Sequence, residues 1–131
     1  MIVDRVSPAL GADVSGVNLS RIDDAEVDEL YAALIEHQVL FLRDQHLAPV
    51  DHAAFGRRFG ELGARHHSYV THPDSADVVV LEWQPGQRPD AAEWHSEMTF
   101  TAEPPFASIL QAVVVPTVGV DAFVSEHVLR P

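Results

Sequence analysis

The stretch Glu93-Trp94-His95-Ser96-Glu97-Met98-Thr99-Phe100 carries the densest chemistry in the chain and sets how the rest is read. Side chains alternate along an extended strand, so in that conformation His95 and Glu97 project from one side. An imidazole and a carboxylate two residues apart can take adjacent positions around one metal ion. One more histidine from elsewhere would complete a two-histidine, one-carboxylate face. That face keeps positions open for an oxidant and a co-substrate, and it is diagnostic of non-haem iron(II). The pair also has a plainer reading. Eight histidines in the chain produce such spacings by chance, and a histidine beside Trp94 can simply pack at the edge of a core.

Working outward, residues 84–89 (Gln-Pro-Gly-Gln-Arg-Pro) read as a loop, because two prolines and a glycine do not extend a central strand. On either side lie strand-like runs, Asp77–Trp83 with Val78 to Leu81 at its centre, and Phe106–Val115. Further back, Val39-Leu40-Phe41-Leu42 has the length and composition of a buried strand. Asp23 or Asp24 caps a helix, with Glu26 placed to cap in return. Val27, Leu30, Tyr31 and Leu34 recur at helical spacing along it, with Ile35 beside them. A second helix is expected to start near Pro49, which lacks the N–H left unpaired in a first turn anyway. Phe55 and Phe59 share its face, and Gly60 and Gly63 mark its end. The first twenty residues read as short extended pieces punctuated by Gly11 and Gly16, with Val14 and Val17 as core contacts. The expected order is helices early and strands later around one core.

At 131 residues and 47% hydrophobic, the chain has material for one core, and residues 1–131 are expected to form a single domain. Its net charge is -12, and all eight basic residues are arginines. Such a balance opposes a nucleic-acid surface, which needs a concentrated basic stripe, and opposes attraction to anionic membranes. Arg57, Arg58 and Arg65 form only a local basic spot. With no cysteine there are no disulfides, thiolate zinc sites or cysteine nucleophiles. The start lacks the basic segment and apolar run of a signal peptide, and no apolar run approaches the ~20 residues of a membrane span. A cytoplasmic setting is the expectation. No Gly-rich phosphate loop, G-x-S-x-G elbow or H-E-x-x-H pair is present.

Several words of the sequence, in order, resemble the taurine dioxygenase (TauD/TfdA) family of iron(II)/2-oxoglutarate dioxygenases. Members carry a W-H-x-D-x-T-F segment, matched here by Trp94-His95-Ser96-Glu97-Met98-Thr99-Phe100. The likeness extends through Gly11-Ala12-Asp13-Val14-Ser15-Gly16-Val17, through His37-Gln38-Val39-Leu40-Phe41-Leu42-Arg43-Asp44-Gln45, and through Phe59-Gly60-Glu61-Leu62-Gly63 into Pro104-Pro105. It covers about residues 8 to 121. The resemblance implies an α+β fold, the N-terminal part of a double-stranded β-helix (jelly roll) with flanking helices and its C-terminal half missing. It makes His95 and Glu97 the first histidine and the carboxylate of an iron triad, with Fe(II) and 2-oxoglutarate as cofactor and co-substrate. A histidine and a tyrosine beyond the F-G-E-L segment line the family's substrate pocket. The candidates here are His66 or His67 and Tyr69, with Phe100 as a further wall. For Tyr69 and Phe100, ordinary packing is the competing reading.

The chain departs from the pattern in ways that bear on activity. Glutamate replaces the usual aspartate at residue 97, keeping charge and donors but adding a methylene. Where relatives carry G-G-D-T, whose threonine contacts 2-oxoglutarate, this chain has Val118-Gly119-Val120-Asp121-Ala122. His127 and Arg130 lack the flanks of the family's distal metal histidine and carboxylate-clamping arginine. By resemblance, the function is hydroxylation of a small organic acid, such as a sulfonate or sulfate ester, coupled to oxidative decarboxylation of 2-oxoglutarate to succinate. The alternative is a non-catalytic truncated remnant, at most self-associating as a homo-oligomer or binding a partner through an exposed sheet edge.

Overall fold

Asp23 and Glu26 form the reciprocal cap that the sequence suggests, and it fixes where the first helix begins. The Asp23 carboxylate accepts from Glu26 N–H at 2.9 Å, while Glu26 Oε2 accepts from Asp23 N–H at 3.1 Å. In this computed structural model, residues 1–64, 68–84, 86–87, 93, 95, 100–115 and 117 are described. They fall into two units, residues 1–46 with the described residues after 110, and residues 47–110.

The first unit holds β1 (Ile2–Arg5), β2 (Ala12–Ser15), a short 3-10 turn (Leu19–Arg21), α1 (Asp24–His37) and β3 (Leu40–Leu42). The central strand, β2, pairs antiparallel with β1 and parallel with β3. The tight return from β1 to β2 depends on Gly11, at φ +93, where an added Cβ would lie 2.8 Å from Val6 Cγ2. A parallel pair cannot be joined by a hairpin, so α1 serves as the crossover between β2 and β3. Its C-terminal end is tied back to β2, since Gly11 N–H donates to His37 O and Ala12 N–H to Val39 O, at 2.8 and 2.9 Å. The chain leaves the helix through Gln38 in the left-handed region, φ 64, a turn that no glycine or asparagine announces.

Alternation along β2 buries Ala12 and Val14 and turns Asp13 outward, where its carboxylate meets Arg43 Nε at 3.0 Å. With these two, Leu19, Val27, Leu30 and Ala33 make up the buried apolar set of this unit, and Leu30 is 1% exposed. Val17 is only half-buried, and Leu19 takes the core place expected of it. Tyr31 and Ile35 are exposed, so the buried stripe of α1 is narrower than its apolar spacing suggests. The run 39–42 does contain a strand, but not a fully buried one. Phe41 pairs with the outward Asp13 and so shares its face, leaving the ring 43% exposed. A single side chain, Gln45, closes the loops of this unit. Its Oε1 accepts from Leu19 N–H at 3.0 Å, and its Nε2 donates to Val17 O at 3.3 Å and Arg43 O at 3.0 Å.

The second unit packs α2 (Pro49–Gly56) against a hairpin of β4 (Thr71–His72) and β5 (Ser75–Val79). Pro49 does stand in the first turn. The helix ends at Gly56, before the expected glycines, and Phe59 lies past it. Phe55 and Phe59 nevertheless meet edge to face, centroids 5.2 Å apart. Arg57 Nη2 donates to Asp77 Oδ2, joining the end of α2 to β5. The strand expected over 77–83 begins and ends earlier. Its partner β4 is two residues long, and among the described residues the last bond between the two segments is Val80 N–H to Val70 O. The strand expected over Phe106–Val115 is absent. Those residues belong to neither sheet of the described residues, and a strand is set by its cross-strand neighbours as much as by its own composition.

The described residues therefore form a mixed α+β structure with one three-stranded and one two-stranded sheet, strands and helices interleaved rather than segregated. No closed barrel occurs among them. No described helix is long and apolar enough to cross a membrane.

Candidate functional site

His95 is exposed, and its ring is oriented by the backbone just before it. A carbonyl oxygen can only accept, so the 2.8 Å contact makes His95 Nδ1–H the donor to Glu93 O. In the neutral imidazole this fixes the tautomer and puts the lone pair on Nε2, the arrangement that a metal-bound histidine adopts when a carbonyl holds its other nitrogen. The donor chemistry at His95 thus fits a metal ligand. Glu97 lies outside the described residues, and with it the side-by-side placement expected of the two. Among the described residues, no group of three His, Asp or Glu is gathered that could hold a metal ion.

The substrate candidates separate in the same way. His66 and His67 lie outside the described residues. Tyr69 is half-buried just before β4, whereas Phe100 is 77% exposed. The Val118–Ala122 segment, His127 and Arg130 also lie outside the described residues.

Two polar features here carry no motif that a sequence reading singles out. In the turn of the β4–β5 hairpin, Asp74 N–H donates to His72 Nδ1 at 3.1 Å, so this histidine is bound to the turn through the nitrogen that His95 uses as a donor. The Arg57–Asp77 pair spans twenty residues of sequence, and only the folded hairpin reveals it.

Comparison with known proteins extends what the geometry begins. The chain is 35% identical over 120 residues to an alkylsulfatase of Acinetobacter baylyi, covering 89% of this chain and 37% of that protein. It is 38% identical over 122 residues to an alpha-ketoglutarate-dependent sulfate ester dioxygenase of Pseudomonas putida, covering 91% of this chain and 39% of that protein. The crystal structure of a taurine dioxygenase from Burkholderia xenovorans is similar at 39% identity and a TM-score of 0.48, covering 53% of this chain and 26% of that one. The chain therefore spans well under half the length of the curated relatives it matches. The family model described as "Taurine catabolism dioxygenase TauD, TfdA family" matches residues 3–126, nearly end to end, and the chain belongs to that family of iron(II)/2-oxoglutarate dioxygenases.

Proposed function

We propose that residues 1–131 are one part of a jelly-roll dioxygenase domain that contributes His95 and Glu97 to an iron(II) site, and that this chain alone does not turn over substrate. Alone, it acts at most as a self-associating or partner-binding domain. The observation that carries the reading is the His95 Nδ1–Glu93 O hydrogen bond within a Trp-His-x-Glu segment of a chain of this family.

In the complete domain, bound iron and 2-oxoglutarate supply the oxidising power for hydroxylation. This chain's own residues would do the positioning. The Glu93 carbonyl accepts from His95 Nδ1–H, which would leave Nε2 to hold the metal, and Glu97 would contribute charge and a second donor. His66 or His67 with Tyr69 would orient a small anionic substrate, with Phe100 as an apolar wall. The substrate class is a small organic acid, a sulfonate or sulfate ester. What supports it is the kinship with enzymes named as an alkylsulfatase and a sulfate ester dioxygenase. The acidic composition supports a partner set without nucleic acid or membrane, and the lack of cysteine suits the cytoplasm.

The test is anaerobic titration of the chain with iron(II) and 2-oxoglutarate, followed by oxygen uptake with a sulfate ester. The expected result is metal binding that His95→Ala abolishes with helical content unchanged, and no 2-oxoglutarate-dependent oxygen uptake. Turnover by the isolated chain would overturn the non-catalytic part. Unaltered metal binding in His95→Ala would overturn the ligand assignment.

A further inference from the structure

The tip of the β4–β5 hairpin is His72-Pro73-Asp74-Ser75, a turn whose backbone does not suit its place. Two-residue hairpin turns match the twist of their strands when the first central residue has positive φ. Proline is locked at about −65°. Gln38 and Asp44 are the described non-glycine residues at positive φ, so neither Pro73 nor Asp74 supplies that conformation. The register shifts beside the turn. His72 pairs with Ser75, but Thr71 pairs with Val79, with Ala76, Asp77 and Val78 bulged between. The turn is thus set off from the rest of the ladder, and a side chain holds it. Asp74 N–H donates to His72 Nδ1 at 3.1 Å, an i to i+2 bond of the kind that an asparagine or aspartate makes in an Asx-turn.

That bond specifies a protonation state. A ring nitrogen that accepts carries no proton, so His72 is held neutral with its hydrogen on Nε2. The side chain is 34% exposed, within reach of water, and Asp74 Oδ2 stands 3.8 Å from the same Nδ1. A proton added at Nδ1 abolishes the acceptor and sets two N–H groups against each other. The carboxylate of the same aspartate is then the acceptor at hand. We infer that the β4–β5 turn is a proton-operated latch, in which neutral His72 holds the Asp74 backbone and protonated His72 holds the Asp74 carboxylate instead. Histidine is the side chain type that changes charge between about pH 5 and 8, which sets the range in which the latch works.

The bulge links the latch to the helix. Asp77, inside it, accepts from Arg57 at the end of α2. Asp77 is the charged residue of β5, while α2 carries Asp51 and His52 and is followed by Arg57 and Arg58. His52 is the one other imidazole among these groups, so it is the control. The exchange of partners is confined to the turn, because Val80 N–H to Val70 O, beyond the bulge, involves no ring.

Nitrogen-15 spectra of the full chain, followed from about pH 8 to 5.5, read both halves of the exchange. At high pH the His72 ring should carry its proton on Nε2. On acidification the Asp74 amide should shift with the same midpoint as the His72 ring, while the Val80 amide stays in place. His72→Asn keeps an acceptor for the i+2 N–H that does not titrate, so the Asp74 amide should become independent of pH over this range. Asp74→Asn keeps the N–H and loses the carboxylate, so acid should leave the turn without a hold. The amides of residue 74 and Ser75 should then lose protection from exchange. An Nδ1–H tautomer at high pH, or an Asp74 amide that ignores the His72 titration, would overturn the inference. So would a response that survives His72→Asn, which would assign it to His52, or an equal shift at Val80. Protection retained in acid by Asp74→Asn would overturn the part given to the carboxylate. None of these readouts involves iron or 2-oxoglutarate, so failure here is separable from failure of the metal-site reading.

Discussion

Residues 1–46 and residues 93–117 make opposite uses of an equally informative sequence. In the first region the sequence signals for element starts and returns have structural counterparts. The Asp23–Glu26 box starts α1, the glycine at 11 makes the return, and the apolar run after the helix forms β3. In the second, the described residues Phe106–Val115 have a strand-like composition yet belong to neither sheet. A helix satisfies its backbone within its own span, and the β1–β2 return closes over a few residues. A strand depends on whatever backbone lies beside it. Chemical identity is therefore written locally, while strand structure is written partly elsewhere.

The contrast is sharpest at two leucines. Leu30, 1% exposed, should cost about 2–5 kcal/mol when changed to alanine, measured by urea unfolding, whereas Leu110→Ala at 83% exposure should fall within about 0.5 kcal/mol under monomeric conditions. Comparable losses at both would erase the distinction between the regions. Next is Gln45→Ala, which removes one acceptor and two donor bonds from half-buried loops and should cost about 1–3 kcal/mol. Asp23→Ala should cost about 1 kcal/mol, and because the cap is reciprocal, Glu26→Ala added to it should cost less than the sum. Smaller again is Arg57→Ala: its partner Asp77 is about half exposed, so the loss should be roughly 0.2–1 kcal/mol and should shrink further in high salt.

Where the sequence misleads, the cause can be named residue by residue. Phe41 is as apolar as its neighbours, but strand alternation puts it opposite Asp13 on the outward face, and composition cannot report parity without register. Tyr31 and Ile35 continue the helical spacing yet lie off the stripe that meets the sheet. Gln38 takes a left-handed conformation that its side chain does not advertise. Gln45 sits at the end of a family-like segment, but its role joins residues 26 and 28 positions away, which only the closed crossover brings near. For the candidate site, the flanking tryptophan and following glutamate single out His95 in the sequence and leave its role as a proposal. The Glu93 carbonyl that sets its tautomer was not, because backbone groups are the same at every position.

The reach of Gln45 also bears on the order of assembly. The cap on α1 spans three residues and forms as the helix nucleates, whereas the Gln45 bonds to residues 17 and 19 exist only after β3 has come back alongside β2. Interactions that wait on a closed loop are late ones: they add little to the rate of folding and act mainly as a brake on unfolding. Together with the β2–β3 ladder, Gln45 then bears more on how long the β2–α1–β3 crossover persists than on how fast it forms.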